Sequence, residues 1–383
     1  MELSKRFEEI RPYRDHEVKK VIAELLADDA FLHILDKIYP QKEECEQVIA
    51  ILKTLDNVVD FQYKIIRPLV GRISQMSTDS FDLIGKENFD TQKSHIFISN
   101  HRDIVLDPAF LNVGAINKDI KATEIAIGSN LLIYKWITDL VKLNRSFVVK
   151  RDIPVKQMME ASETLSHYIR NSVIERDRSV WIAQKEGRTK NGIDRTQVAL
   201  LKMLNISNPN DSTRQGFLDL DIVPLALSYE IEPCGGLKVL ELLRKKHESD
   251  YKKSPGEDLR SMGAGIIRPK GRVVFKYGKP INEVLSQTEE IKNKNKQLKV
   301  VAEIIDKSVI ENYTLWPFNF IAHDKLNQSD RFKDQYTQDD IDRFEKLTAE
   351  SLSIIEEHKE EAVQLWLEMY ANPLQSKIDF NLL

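Results

Sequence analysis

Apolar positions recur along this chain with two different periods, and the change between them divides it. Val18, Ile22, Leu25 and Leu26 follow helical spacing, as do Val48, Ile51, Leu52 and Leu55. Tyr39-Pro40 separates these two groups, and Arg67-Pro68 marks a second interruption. Residues 1–88 therefore read as a helical cap or bundle. Beyond residue 89 the apolar runs shorten to strand length: Ile96-Phe97-Ile98, Thr123–Ile127, Phe147-Val148-Val149, Ser179–Ala183 and Asp221–Tyr229. Between them, residues 109–116, Leu131–Leu143 and Val155–Val173 carry helical patterns. Strands alternating with helices predict βαβ units. Pro224 within the fifth run implies an edge strand or an irregular one. Arg272–Tyr277 adds a further strand, closed by Gly278-Lys279-Pro280. Residues 286–383 return to helical spacing, with Thr337-x-x-Asp340 as a capping box opening one helix. The expectation is an α/β fold: a mixed, largely parallel sheet flanked by helices over residues 89–285, with helical additions at 1–88 and 286–383.

Composition narrows the class. The 383 residues are 42% hydrophobic and 30% charged, which is ordinary for a globular protein and excludes disorder. A formal net charge of −4 gives no support to bulk nucleic-acid binding. Cys45 and Cys234 lie far apart and belong to no Cys-x-x-Cys pair, so reduced thiols are expected rather than a disulfide or zinc framework. The first nine residues lack the apolar core of a signal peptide. No apolar run approaches the roughly 20 residues needed to span a bilayer. A protein of this kind acting on lipid would lie on the membrane.

The candidate chemistry gathers at strand ends. Ile96-Phe97-Ile98 stops at Ser99-Asn100, after which His101, Asp103 and Asp107 fall within seven residues. A His beside a carboxylate supplies a general base and the group that orients it. Asp107-Pro108 also reads as an N-cap with Pro at the first helical position. Lys150 and Arg151 close the third strand, where Arg could clamp a phosphate, although adjacent basic residues are also common in solvated loops. Glu186-Gly187-Arg188 follows a Trp-containing strand; alone it would be a salt-bridged turn. No Gly-x-Ser-x-Gly elbow, Gly-x-x-x-x-Gly-Lys phosphate loop or His-Glu-x-x-His zinc site occurs.

In order and spacing these elements resemble the glycerolipid acyltransferase family, which includes glycerol-3-phosphate and lysophosphatidate acyltransferases. The resemblance covers roughly residues 90–285. It rests on Asn100-His101…Asp107, on Phe147-Val148-Val149-Lys150-Arg151, on Lys185-Glu186-Gly187-Arg188-Thr189 and on Ile222-Val223-Pro224-Leu225. Three departures stand out. Five residues rather than four separate His101 from Asp107, with Leu106 at the family's Asp position. The third block is compact, and the second lacks the family's Gly, with Asn144 and Arg145 nearby.

The resemblance implies an O-acyltransferase of phospholipid biosynthesis. His101 and Asp107 would be catalytic, with Asp103 the second choice of partner. Arg151, Glu186, Gly187 and Arg188 would bind the substrate. The acceptor would be 1-acyl-sn-glycerol-3-phosphate or glycerol-3-phosphate. No cofactor or metal is implied; acyl-CoA or acyl carrier protein would be the donor and partner. Peripheral contact with the inner face of the cytoplasmic membrane is expected, through Leu131–Leu143 or the basic stretch Arg244–Lys253, unless these are packing and solvated faces. The alternatives are an acyltransferase or transacylase using another lysolipid or an amino-acid lipid, and a membrane-associated binding protein with a degenerate site.

Overall fold

The structure is a computed structural model and describes residues 2–210 and 212–383. Seven strands form one sheet: β1 (Ser80–Ile84), β2 (Ile96–Ser99), β3 (Glu124–Gly128), β4 (Ser146–Val149), β5 (Val180–Ala183), β6 (Ile222–Tyr229) and β7 (Arg272–Tyr277). Their order is β1-β7-β6-β2-β5-β3-β4. Every neighbouring pair is parallel except β6–β7. The carboxyl ends of β2 to β6 therefore share one edge of the sheet, and the segments leading into β1 and β7 return to that same edge.

Alternation along the strands builds a core on each face. Phe97 pairs in register with Trp181, and both point into a cluster completed by the N-terminal helices and by Phe110 and Leu111. Ile96, Ile98, Val180 and Ile182 point the other way, onto Ile169, Leu201, Leu204 and Ile305. The helix after β2 (Leu106–Ile116) packs on the first face, whereas the helix that follows β5 (Val198–Asn205) packs on the second. Adjacent strands that send their chains to opposite faces leave a crevice between their carboxyl ends, where α/β sheets commonly bind ligands. A third cluster, with Phe318, Phe344, Trp366 and Tyr370, joins the helix Gly235–His247 to the C-terminal helices.

Three sequence expectations change. The 1–88 region is not wholly helical: Ser80–Ile84 is an edge strand, paired in parallel with β7 from Ser80↔Arg272 to Ile84↔Lys276. Its alternation is masked because Asp82 and the exposed Ile84 break the apolar pattern. Arg67-Pro68 does not end a helix. A π-turn over Gln62–Ile66 leads directly into the helix Arg67–Ser77, and that wider turn accommodates the proline. Pro224 lies on an interior strand rather than an edge. Its register with β7 begins one residue later, at Leu225↔Tyr277, and Pro224 contributes only its carbonyl, which accepts from Gly278 N at 2.8 Å. The missing N–H thus falls where the antiparallel ladder ends.

Other elements lie where the periodicity puts them, with shifted ends. The Leu131–Leu143 pattern yields a helix only over Lys135–Leu143, preceded by the exposed Ile133 and Tyr134. The Val155–Val173 pattern is α-helical over Val155–Arg170 and then opens into a π-turn, Asn171–Glu175. Thr337 and Asp340 form the capping box of the helix Gln338–Leu352. Cys45 and Cys234 are buried free thiols. Among the described residues, no helix is long and apolar enough to cross a membrane.

Candidate active site

β2 ends at Ser99, whose hydroxyl accepts from Trp181 Nε1 at 2.9 Å and donates to Asn100 O. The fully buried Asn100 then replaces a ladder rung with its side chain. Its Nδ2 donates to Leu227 O at 2.9 Å, and its Oδ1 accepts from Leu227 N at 2.8 Å. This pair of hydrogen bonds pins the start of the loop to β6. From the other side, His101 O accepts from Thr189 N at 2.8 Å, which ties the β2 loop to the one after β5.

His101 follows, with its Nδ1 2.8 Å from Asp107 Oδ2. An ionised carboxylate only accepts, so Nδ1 carries the proton and Nε2 keeps a free lone pair. The imidazole side chain is 15% exposed and Asp107 fully buried, so the base can be reached while its partner cannot. The ring rests edge-on against Trp181, 5.6 Å between centroids. Asp107 Oδ2 also accepts from the backbone N–H of Arg102 at 2.6 Å and of Asp103 at 3.0 Å, and Tyr229 donates its hydroxyl to Oδ1 at 2.7 Å. Burial, then the charges of Asp107 and Asp103, push the Tyr229 phenol well above its ordinary pKa, so it remains a donor.

Asp107 is not an N-cap; it lies inside the first turn of the helix that begins at Leu106. The turn into that helix is made by Asp103, whose Oδ1 accepts from Val105 N at 2.9 Å and Leu106 N at 2.8 Å. Asp103 therefore faces its own backbone, and the extra residue between His101 and Asp107 is taken up in this turn. Its Oδ2 is buried with no hydrogen-bond partner. Burial, then the Asp107 charge, raise its pKa above the ordinary carboxylate value.

Arg102, between these groups, gave no sequence signal. It is completely buried, with Nη2 2.6 Å from Asp194 Oδ2, Nη1 3.3 Å from Glu232 Oε2, and its guanidinium 5.3 Å from the centre of the Tyr313 ring. Lys238 Nζ bridges Glu232 Oε1 at 2.5 Å and Arg102 O at 2.7 Å. Two buried cations face two buried carboxylates, each with a partner, which such charges require.

The remaining predicted residues separate into two places. Arg151 Nη1 makes an ion pair with Glu186 Oε2 at 2.8 Å, with both side chains partly open to solvent. Its backbone N donates to Ser129 Oγ, which fixes it to the end of β3. Lys150 turns away, toward Glu9 of the first helix. Gly187 adopts φ +72° with open space around it, a conformation an L side chain would strain. Arg188 is 9% exposed; its Nη1 is buried without a hydrogen-bond partner, and its charge acts on Asp103. An unsatisfied buried guanidinium beside the His101 loop is suited to an anion. Gln184, fully buried where β5 ends, likewise leaves both amide atoms unpartnered.

A cavity of about 260 Å³ lies at the same edge, between the Asn130–Ile133 segment, Asp152 and the helix Pro255–Ile267. Leu131, Ile133, Leu259 and Met262 give it an apolar wall. That helix also covers the His101 loop: a Cβ on Gly265 would stand 2.1 Å from Asp103 Oδ2.

Residues 80–216 match the family model described as Acyltransferase. No curated protein matches by sequence. Among solved structures, the chain is similar to the 1-acyl-sn-glycerophosphate (LPA) acyltransferase PlsC from Thermotoga maritima. The identity is 11% and the TM-score 0.36, over 77% of this chain and 94% of that one.

Proposed function

We propose that this acyltransferase-family chain moves a fatty acyl group from a thioester to a hydroxyl of a glycerol-phosphate acceptor, 1-acyl-sn-glycerol-3-phosphate or glycerol-3-phosphate, in phospholipid biosynthesis. The observation that carries the reading is the His101–Asp107 hydrogen bond at the carboxyl edge of the sheet. His101 Nε2 takes the acceptor hydroxyl proton as that oxygen attacks the thioester carbonyl carbon. The C=O electrons move onto oxygen, and collapse of the tetrahedral intermediate expels the thiolate. The thiolate then takes the proton back from Nε2. Asp107 holds the ring and balances its transient charge. Such general-base help is typically worth about 10²–10⁴ in rate. No covalent enzyme intermediate is needed.

Arg188 supplies the vacant guanidinium for the acceptor phosphate, with Arg151 and Glu186 as a second, exposed element near it. Gly187 lets that loop approach the acceptor. The apolar wall of the neighbouring cavity suits part of an acyl chain. The donor is acyl-CoA or acyl carrier protein.

An acceptor that already carries an acyl chain resides in a bilayer, which supports peripheral action at the inner face of the cytoplasmic membrane. Ile133, Tyr134, Val155, Met158 and Met159 are exposed in the segments that follow β3 and β4, and Ile133 also lines the cavity. The basic stretch is a poorer candidate for this contact: Lys245 pairs with Glu241, Lys246 with Glu361 and Lys253 with Asp258.

A second reading has one observation in its favour. Arg151 is already neutralised by Glu186, which leaves room for an acceptor without phosphate, such as another lysolipid or an amino-acid lipid. The displaced carboxylate no longer argues for a degenerate binding protein, because Asp107 reaches His101 despite the extra residue.

The test is thioester consumption by purified protein, with acyl-CoA and acyl carrier protein donors. Glycerol-3-phosphate, lysophosphatidate and neutral lysolipids are offered in turn, beside His101→Ala. Wild type and variant equally inactive on every acceptor with both donors would end the enzyme reading.

A further inference from the structure

At the sheet edge opposite His101, the amino ends of β3, β4 and β5 border a cavity of about 510 Å³. Its lining carries Arg11, Arg14, Arg145, Arg176 and Arg178 against three carboxylates, Glu8, Asp15 and Glu124. The carboxylates are already committed. Glu8 bridges Arg11 and Arg14. Asp15 Oδ1 accepts from Val58 N at 2.9 Å. Glu124 receives both terminal nitrogens of Arg176, each at 3.1 Å, and the Tyr168 hydroxyl at 2.6 Å.

Arg145 and Arg178 are left over. Among the described residues, neither forms an ion pair with a carboxylate, and Arg145 Nε is buried with no acceptor. Arg145 is also held at φ +60°, in the left-handed region. Burial, and then the neighbouring charge of Arg178, depress its pKa from the ordinary arginine value. A partly desolvated guanidinium facing a second one, opposed by Glu124 and Asp15 only from beyond ion-pair distance, is an incompletely compensated arrangement. An anion between the two would compensate it, and paired guanidinium groups match the oxygens of a phosphoryl group. Phe7, Pro12 and Val58 give the same cavity an apolar side.

We infer that this cavity is a second phosphoryl-binding site, which takes the phosphate of a soluble phosphomonoester or of an anionic lipid headgroup between Arg145 and Arg178. It lies across the sheet from Arg188 and does not depend on the reaction assigned to His101.

The test follows thermal unfolding of the full chain in inorganic phosphate, with chloride at equal ionic strength as reference. Co-sedimentation with phosphatidylcholine vesicles, with and without phosphatidic acid, forms the second arm. The expected result is a rise of about 2 °C in the melting temperature at saturating phosphate, or phosphatidic-acid-dependent sedimentation. Both arms are run in the Arg188→Gln background, which removes the acceptor-phosphate site; there the response should persist, and it should disappear when Arg145→Met or Arg178→Gln is added. A response to soluble phosphate assigns a soluble ligand; a response to vesicles alone assigns a headgroup. In chloride, Arg145→Met should melt no lower than wild type, because it gives up no partner. If that variant does not fold, Arg178→Gln at the exposed lip decides the matter. The inference is overturned if neither arm responds in the Arg188→Gln background, or if the response there survives both added substitutions.

Discussion

Tyr229 donates its hydroxyl to Asp107 at 2.7 Å, from a strand 122 residues further along the chain. The bond occupies Asp107 Oδ1 and leaves Oδ2 to His101 and two backbone amides. Tyr229 is a positioning residue in this arrangement. Tyr229→Phe should lower kcat about 10–100-fold, as loss of an outer-shell partner commonly does, and change KM much less. A variant with KM raised and kcat preserved would show that Tyr229 does not serve the base.

Asp107 and Asp103 should separate cleanly. Asp107→Asn removes the charge that balances the His101 ring and leaves one acceptor oxygen for four donors, so thioester turnover should fall by about 10²–10⁴. Asp103→Asn keeps an Oδ1 acceptor for Val105 N and Leu106 N, and should retain most activity while leaving the fold intact. Equal losses in the two variants, measured by thiol release with circular dichroism as the folding control, would contradict the assignment.

Gly265 should not accept a side chain. A methyl there would meet Asp103 Oδ2 at 2.1 Å, so the covering helix or the His101 loop must shift. Gly265→Ala is expected to cost about 1–3 kcal/mol in urea unfolding and to reduce turnover as well. Gly263→Ala, on the same helix with open space around it, is the control and should be neutral.

Asp306 predicts a pH dependence of stability. Burial raises its pKa from 3.8 to about 6, while its Oδ1 accepts from Thr196 N at 2.6 Å. The folded state holds the proton more tightly, so its contribution is fully present below pH 3.8 and is lost as pH rises through about 6. Asp306→Asn keeps the acceptor without the charge. It should therefore match wild type near pH 4 and exceed it by about 2 kcal/mol at pH 8. Urea midpoints at the two pH values check this, and a variant weaker than wild type at pH 8 would refute it.

Much of the fold was legible because its signals are local. Runs such as Ile96-Phe97-Ile98 and Phe147-Val148-Val149 are short and apolar enough to read as buried strands, and they form β2 and β4. β1 escaped because an edge strand needs only one buried face, and Leu83 is its single fully buried side chain. Pro224 misled because the rule against proline concerns the donor, and here the donor falls where a ladder ends. The His101–Asp107 pair follows from the family resemblance, with Asp103 as second choice because the spacing is one residue long; the turn that makes five intervening residues work depends on Asp103 folding back on its own backbone. Arg102 and Tyr229 were invisible in the sequence, since their roles come from partners far along the chain. In the sequence Arg145 is only a neighbour of a block that lacks the family's glycine; its isolation emerges once three strand ends are brought together.

The buried charges around Arg102 also bear on the order of events during synthesis. The segment that matches the acyltransferase family ends at residue 216, yet the His101 loop is held by Leu227, Tyr229, Glu232 and Lys238. A nascent chain released only to residue 216 would have its histidine and aspartate but not the strand and helix that fix them. Arg102 would meanwhile await half of its counter-charge. The His101–Asp107 site can close only after β6 has left the ribosome and paired with β2, so it forms late rather than when the matching segment is complete.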